Sequence, residues 1–232
     1  MRLGTRPVLQ LVIDRLRMSQ RIDEVLIATT IQPEDLPVVR CALDANARVF
    51  CGSEDDVLDR FWQAAKLIRP DNIVRITADC PLIDPDIIDA VIDEHAARGA
   101  DYTSNTIVAT WPDGLDVEVM RFTALERAWQ QATLLSEREH VTPYIKNHPE
   151  MFAIAQVQRS DDLSHLRWTI DEPADFELIQ HIVDSFDPAE LTGVRTEHVL
   201  KLLDKHPEWL AINSTIQRDE GYWKSVEQDR ME

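Results

Sequence analysis

The chain has 232 residues, 44% of them hydrophobic and 28% charged, an ordinary make-up for a water-soluble α/β-sized unit. Its net charge of −18 argues against a nucleic-acid partner, because phosphate backbones call for basic surfaces. One nucleotide stays compatible, since a divalent cation, a few cationic groups and backbone N–H donors are enough to hold it.

No stretch approaches the ~20 apolar residues of a membrane span, so no membrane association is expected. The N-terminus lacks the layout of a secretory signal. Cys41, Cys51 and Cys80 suggest neither a disulfide framework nor a zinc site, and a cytoplasmic location is expected.

In chain order, 7–19 reads as an amphipathic helix and 24–29 as a strand followed by a helix to about Asn46. A short strand at 48–51 precedes a helix over 55–69. The run from Asn72 is apolar and β-branched and stops at Asp79. A helix over 85–98 and a strand over 101–105 come next. Residues 114–120 alternate Leu115, Val117 and Val119 with Asp116 and Glu118, as a half-exposed strand does. Helices are expected over 123–133 and 137–147, strands over 152–157 and 166–170, and a helix over 173–184 with Pro at its first turn. This βα alternation predicts a mainly parallel sheet with helices on both faces. Residues 1–187 form that unit. Residues 188–232 read as short helical pieces, an appendage that covers the sheet edge or makes a homodimer contact.

Asp79 draws attention because ligands of open α/β sheets sit at the carboxyl ends of strands. The segment LRWTIDEP repeats the form, with Asp171 at its end. Two such aspartates can converge on Mg²⁺, which takes few carboxylates and leaves the rest to phosphate and water. Read singly, each serves equally well as a helix cap. In CGSEDDVLDR, Gly52 and Ser53 either approach a ligand or, with Asp56, cap a helix. Asp113 and Gly114 fit a turn, with Asp116 and Glu118 on the polar face beyond it. Arg138 and His140 are either exposed charges at a helix start or a cationic pocket for a sugar carboxylate, with Arg138 as the fork.

The strings GSEDDVLDR, VRITADCPLIDP, PDGLDVEV, SEREHVTPYI and LSHLRWTIDEPADFELI, with the tail INSTIQRDEGYWKS, resemble the cytidylyltransferases that make CMP-activated acidic sugars. The likeness is greatest to spore-coat polysaccharide biosynthesis proteins and to acylneuraminate and pseudaminic acid cytidylyltransferases, and covers essentially the whole chain. The resemblance implies a Rossmann-like nucleotidyltransferase. It would convert CTP and a nonulosonic sugar acid into a CMP-sugar and pyrophosphate. Asp79 and Asp171 match the metal aspartates, and Thr77 lies near the cytosine in related enzymes. Gly52, Ser53 and Asp56 would also bind nucleotide. Asp113, Asp116, Glu118, Arg138 and His140 would line the sugar site.

Such enzymes begin with a central strand and a loop of the form (I/V)xARxGSxRLPGKxL that holds the triphosphate. MRLGTRPVLQLVIDRL matches the family only downstream of that loop. A misplaced start, a catalytically weak homologue acting as a binding or assembly protein, and a partner that completes the sheet are the three readings of this. A sheet without its middle strand is expected to leave unpaired edges and to be marginally stable, rearranged or oligomeric. A nucleotide-sugar-dependent glycosyltransferase is the remaining alternative. It is disfavoured because Asp79-Cys80-Pro81 lacks the second acidic residue of a DxD motif.

Overall fold

The structure, a computed structural model, describes residues 1–231. Strands β1 (Arg2–Leu3) and β2 (Arg6–Pro7) form a small antiparallel hairpin that turns at Gly4 and leads into helix α1 (Val8–Leu16). β3 (Leu26–Thr30), α2 (Leu36–Asp44), β4 (Arg48–Gly52) and α3 (Val57–Ile68) come after it. Then come β5 (Asn72–Arg75), α4 (Pro85–Arg98), β6 (Tyr102–Ser104) and β7 (Glu118–Arg121). Helices α5 (Phe122–Gln131), α6 (Leu135–His140) and α7 (Pro143–Asn147) precede β8 (Ile154–Gln156). The chain ends with α8 (Pro173–Asp184), α9 (Thr196–Leu203) and α10 (Glu220–Asp229).

The parallel pairs that the alternation anticipates are β3–β4 and β6–β8. β7 lies between β5 and β6 and runs antiparallel to both. The sheet is in two pieces, β3–β4 and β5–β7–β6–β8. Among the described residues β3 is bonded only to β4 and β5 only to β7, so each piece carries an edge with open backbone donors and acceptors.

Several stretches differ from the sequence expectation. β5 stops at Arg75, short of Asp79, and β7 begins at Glu118, so residues 114–117 are not strand. Residues 166–170 form no strand; one parallel bridge, Asp113 to Arg167, is all the ladder there is. The side chain of Arg167 is turned into a cluster of carboxylates instead. The helix expected over 137–147 is two helices, α6 and α7. Val141 interrupts it with φ +72° and ψ −54°, and the Thr142 N–H donates to the His140 carbonyl at 2.8 Å. An i to i+2 bond with these angles is a γ-turn of the rare, strained kind.

The main core lies between α1, α4, α8 and the sheet, through Leu11, Ile83, Ile88, Val117, Trp168 and Ile179. Residues beyond 187 add Leu191, Val194, Val199 and Leu203 to this same core. Arg15 locks the join. Its buried guanidinium donates to the carbonyls of Leu82, Ile83, Leu191 and Val194 at 2.6–3.2 Å, and burial pushes its pKa down to about 10. A second core joins α3, α5 and the other sheet face, with Trp62 stacked on Trp129 at 3.6 Å between centroids.

Gly114 has φ +96°, and a Cβ there would stand 2.5 Å from the Trp168 carbonyl carbon. The turn needs this close approach, because the Asp113 backbone exchanges bonds with Leu166 and Trp168 on either side. Gly114→Ala is therefore expected to destabilise by roughly 3 kcal/mol or more through strain plus overpacking. Urea unfolding would show this as a lowered midpoint; an unchanged midpoint would mean that the approach is not required.

Candidate functional site

The site begins where β5 ends. After Arg75 the chain leaves the ladder, and residues 80–83 close a turn through the Ile83 N–H to Cys80 carbonyl bond. Asp84 then caps α4, accepting from the Asp86 N–H, and its other oxygen takes the Thr196 N–H and hydroxyl, both at 2.7 Å. With capping assigned to Asp84, the Asp79 side chain is left in the turn beyond β5. The Thr77 hydroxyl and the Cys80 thiol lie 3.1 Å apart beside it.

Asp171 is brought to Asp79 by the backbone. The Ile170 N–H donates to the Asp79 carbonyl at 3.0 Å. Burial, then the charge of Asp79, pushes the Asp171 carboxyl above the usual carboxylate range. The turn before α8 is held by Asp175, which accepts from the Asp171 and Glu172 N–H groups. Asp171 itself is gripped by Arg167 at 2.5 Å. Neither Asp79 nor Asp171 is a helix cap; Asp84 and Glu172 hold those positions. No group of three or more acidic, His or Cys side chains with metal-binding geometry occurs among the described residues. Two neighbouring carboxylates fit Mg²⁺, which takes its remaining ligands from phosphate and water, and suit a zinc-type site poorly.

Glu118 is fully enclosed, not on a half-exposed polar face. It accepts from the Arg75 guanidinium at 2.5 Å, the Tyr102 hydroxyl at 2.5 Å and the Thr142 hydroxyl at 2.6 Å. The Lys146 ammonium stands 3.8 Å away. Burial alone would raise its pKa; Arg75 and Lys146 outweigh that and hold it down at about 2. The strained turn at Val141 is what aims Thr142 at this carboxylate. Asp116, two residues earlier, pairs with Arg218 at 2.5 Å. Burial pushes its carboxyl up to about 7 despite that partner, and the nearby Asp113 and Asp219 charges add to the rise. Asp113 is a turn residue bound by Arg167 at 2.6 Å.

Arg138 is not an open fork. Asp56 takes its Nε and terminal nitrogen, and the Trp129 carbonyl takes another N–H at 2.8 Å. Asp56 is the cap of α3, accepting from the Asp59 N–H, while Ser53 accepts from the Asp56 N–H. Gly52 is pressed against Phe50 and Arg60, where a Cβ would meet side-chain carbons at 2.9–3.0 Å. Gly52, Ser53 and Asp56 thus follow the capping and packing alternative. His140 lies under α10, 3.1 Å from the Ser225 hydroxyl and edge-on to Tyr222; burial lowers its pKa.

Sequence reasoning missed Arg75, Lys146, Arg167 and Arg218. Arg75 and Arg167 did carry a signal, since a charge inside an otherwise apolar segment must be paired once buried. Lys146 and Arg218 carried none, because they arrive from elements distant in sequence. A cavity of about 750 Å³ opens at the other end of β5, lined by Lys66, Arg69, Asn72, His95 and Arg121. It is remote from both aspartates.

The model of the cytidylyltransferase family matches residues 1–199. An uncharacterized protein of Methanocaldococcus jannaschii is 37% identical over 220 residues, which is 94% of this chain and 88% of that protein. The spore coat polysaccharide biosynthesis protein SpsF of Bacillus subtilis is 30% identical over 89% of this chain and 87% of its own length. The solved structure of a cytidylyltransferase from Leptospira borgpetersenii superposes with a TM-score of 0.87 at 29% identity, covering 94% and 91% of the two chains.

The Glu118 network has a measurable consequence. Its folded pKa is depressed, so its contribution to stability, ~3 kcal/mol, is complete above the unfolded value of 4.5 and is lost as pH falls toward about 2. Glu118→Gln strands the Arg75 charge and is expected to cost about 3–5 kcal/mol. It should also flatten the stability curve between pH 4.5 and 2 in urea titrations. An equally steep curve in the variant would place the acid sensitivity elsewhere.

Proposed function

The chain belongs to the cytidylyltransferase family, and from that premise we propose that it activates a nonulosonic sugar acid with CTP, giving a CMP-sugar and pyrophosphate. The observation that carries this reading is the meeting of Asp79 with Asp171 at the end of β5. The kinship with SpsF supports a role in supplying a precursor for a surface polysaccharide.

In this reading the sugar hydroxyl attacks the α-phosphorus in line, the new P–O bond forms, and the bond to the pyrophosphate oxygen breaks. Such transfer depends on positioning and on neutralising charge. Asp79 and Asp171 would hold Mg²⁺, which supplies neutralisation of phosphate charge and activation of the attacking oxygen. Thr77 and the Cys80 turn stand beside Asp79, and Thr77 would lie near the base. Asp116, held by Arg218, would accept a sugar-hydroxyl hydrogen bond. The C-terminal segment closes the site, because Arg218 reaches both the Trp111 carbonyl and Asp116.

The test is pyrophosphate release with CTP, Mg²⁺ and a panel of nonulosonic acids. The proteins compared are this chain, a form extended by its in-frame upstream codons, and Asp79→Asn and Asp171→Asn made in whichever form turns over. Either substitution is expected to lower kcat by ~10²–10³-fold with little change in melting temperature. Inactivity of both forms with all four nucleoside triphosphates would refute the reading.

A further inference from the structure

Asp171 sits on a segment that runs from Arg167 to Asp175. Its side chain is 51% exposed, so packing does not fix it. Its direction rests on the backbone at 170–172 and on the Arg167 guanidinium. That backbone is held by the Ile170 N–H, which donates to the Asp79 carbonyl at 3.0 Å. The Asp171 and Glu172 N–H groups both donate to Oδ2 of Asp175, at 3.2 and 3.0 Å. The same carboxylate aims Arg167, taking its Nε–H on Oδ1 and a terminal N–H on Oδ2, each at 3.0 Å. This side-on pairing leaves other N–H groups of the fork for Asp113 and Asp171. Asp175 therefore sets both the backbone and the charged partner of Asp171.

Asn213 in turn sets Asp175. Its buried side-chain amide donates to Oδ1 of Asp175 at 2.8 Å and to the Arg167 carbonyl at 3.0 Å. Both partners are acceptors, which fixes the orientation of the amide. One NH₂ group thus ties residue 167 to residue 175, the two ends of the segment that presents Asp171. Among the described residues, Arg167 and Asn213 are the side chains that donate to Asp175. Loss of the amide would leave a buried carbonyl and a carboxylate oxygen short of a donor, which is costly. It would also free Asp175 to turn, and Arg167 and Asp171 with it. Asn213 belongs to the tail INSTIQRDEGYWKS, beyond residues 1–199 that the family model matches.

We infer that Asn213 is a positioning residue for the cation site. Acting through Asp175 and Arg167, it fixes the direction in which Asp171 presents its carboxylate beside Asp79. This rests on the proposed pairing of Asp79 and Asp171 around a divalent cation, and it names the part of the C-terminal segment that the pairing needs. Groups that hydrogen-bond a metal ligand from behind commonly govern metal affinity by ~10–100-fold. An Asn213 that served the fold alone would act only through stability, as Leu203 does in the core of the same segment.

The test compares Asn213→Leu, which keeps the side-chain volume and removes both donors, with Leu203→Ala, which loosens the core away from the site. Asn213→Ala is the second variant should the first not fold, and melting temperatures show that each protein is folded. Mn²⁺ affinity is measured by electron paramagnetic resonance with CTP present, in the form that binds CTP. Asn213→Leu should weaken it roughly 10-fold and raise the Mg²⁺ concentration for half-maximal pyrophosphate release by about as much. The KM for the sugar acid should stay within about twofold. In the metal-free protein, amide exchange at residues 171 and 172 should be about 10-fold faster than in Leu203→Ala. Leu203→Ala should lower the melting temperature and leave Mn²⁺ affinity and Mg²⁺ dependence as in the wild type. Wild-type Mn²⁺ affinity in the folded Asn213 variants, or an equal loss in Leu203→Ala, would overturn the inference. Asp171→Asn is the reference. If it weakens Mn²⁺ binding and the Asn213 variants do not, the positioning role fails while the cation site stands. If Asp171→Asn binds Mn²⁺ like the wild type, the cation site fails and the inference with it.

Discussion

One buried guanidinium organises the candidate active site. Arg167 bonds Asp113 on the turn at 112–114, Asp171 beside Asp79, and Asp175 in the first turn of α8. Asn213, from the C-terminal segment, closes the cluster by donating to the Arg167 carbonyl and to Asp175. Burial opposes the charge of Arg167; the hydrogen bonds it donates to Asp175 and the charge of Asp113 more than offset this and raise its pKa. Three carboxylates on one cation leave a net negative cluster, which is costly in a half-buried place unless another cation joins it. The cost falls on Asp171, whose other neighbour is Asp79. In the proposed reading, a divalent cation would offset this imbalance.

The two charge clusters are opposite in balance. The Arg167 cluster is short of positive charge and lies beside Asp79, while the Arg75–Glu118–Lys146 cluster has one more cation than carboxylate. The segment beyond 187 supplies Asn213 to the first cluster, pairs Arg218 with Asp116 and lays α10 over His140. It is therefore part of the site as well as of the core.

Much of this is legible in the sequence. The helices over 85–98 and 173–184 match their expected bounds because Asp or Glu before Pro is a local signal that tertiary packing reinforces. Asp79 stands out because an apolar run followed by a carboxylate and a turn is visible without neighbours, although the strand itself stops at Arg75. The features that do not show are tertiary. Residues 166–170 look like a strand by composition, yet Arg167 turns inward to three acids and the backbone makes one bridge. Glu118 looks half-exposed by alternation, but its face is covered by α7, reached only through the γ-turn at Val141. Arg138 looks like a free fork because Asp56, 82 residues away, cannot be paired with it by pattern.

The central claim is that Asp79 and Asp171 act as one cation site in the presence of nucleotide. Electron paramagnetic resonance of Mn²⁺, titrated with CTP present, tests it directly in the form that binds CTP. The account predicts one protein-dependent Mn²⁺ site that weakens at least 10-fold in Asp79→Asn and in Asp171→Asn. The double substitution should add little, because either loss already dismantles the pair. Full Mn²⁺ affinity in both single variants, or losses that simply add, would contradict it.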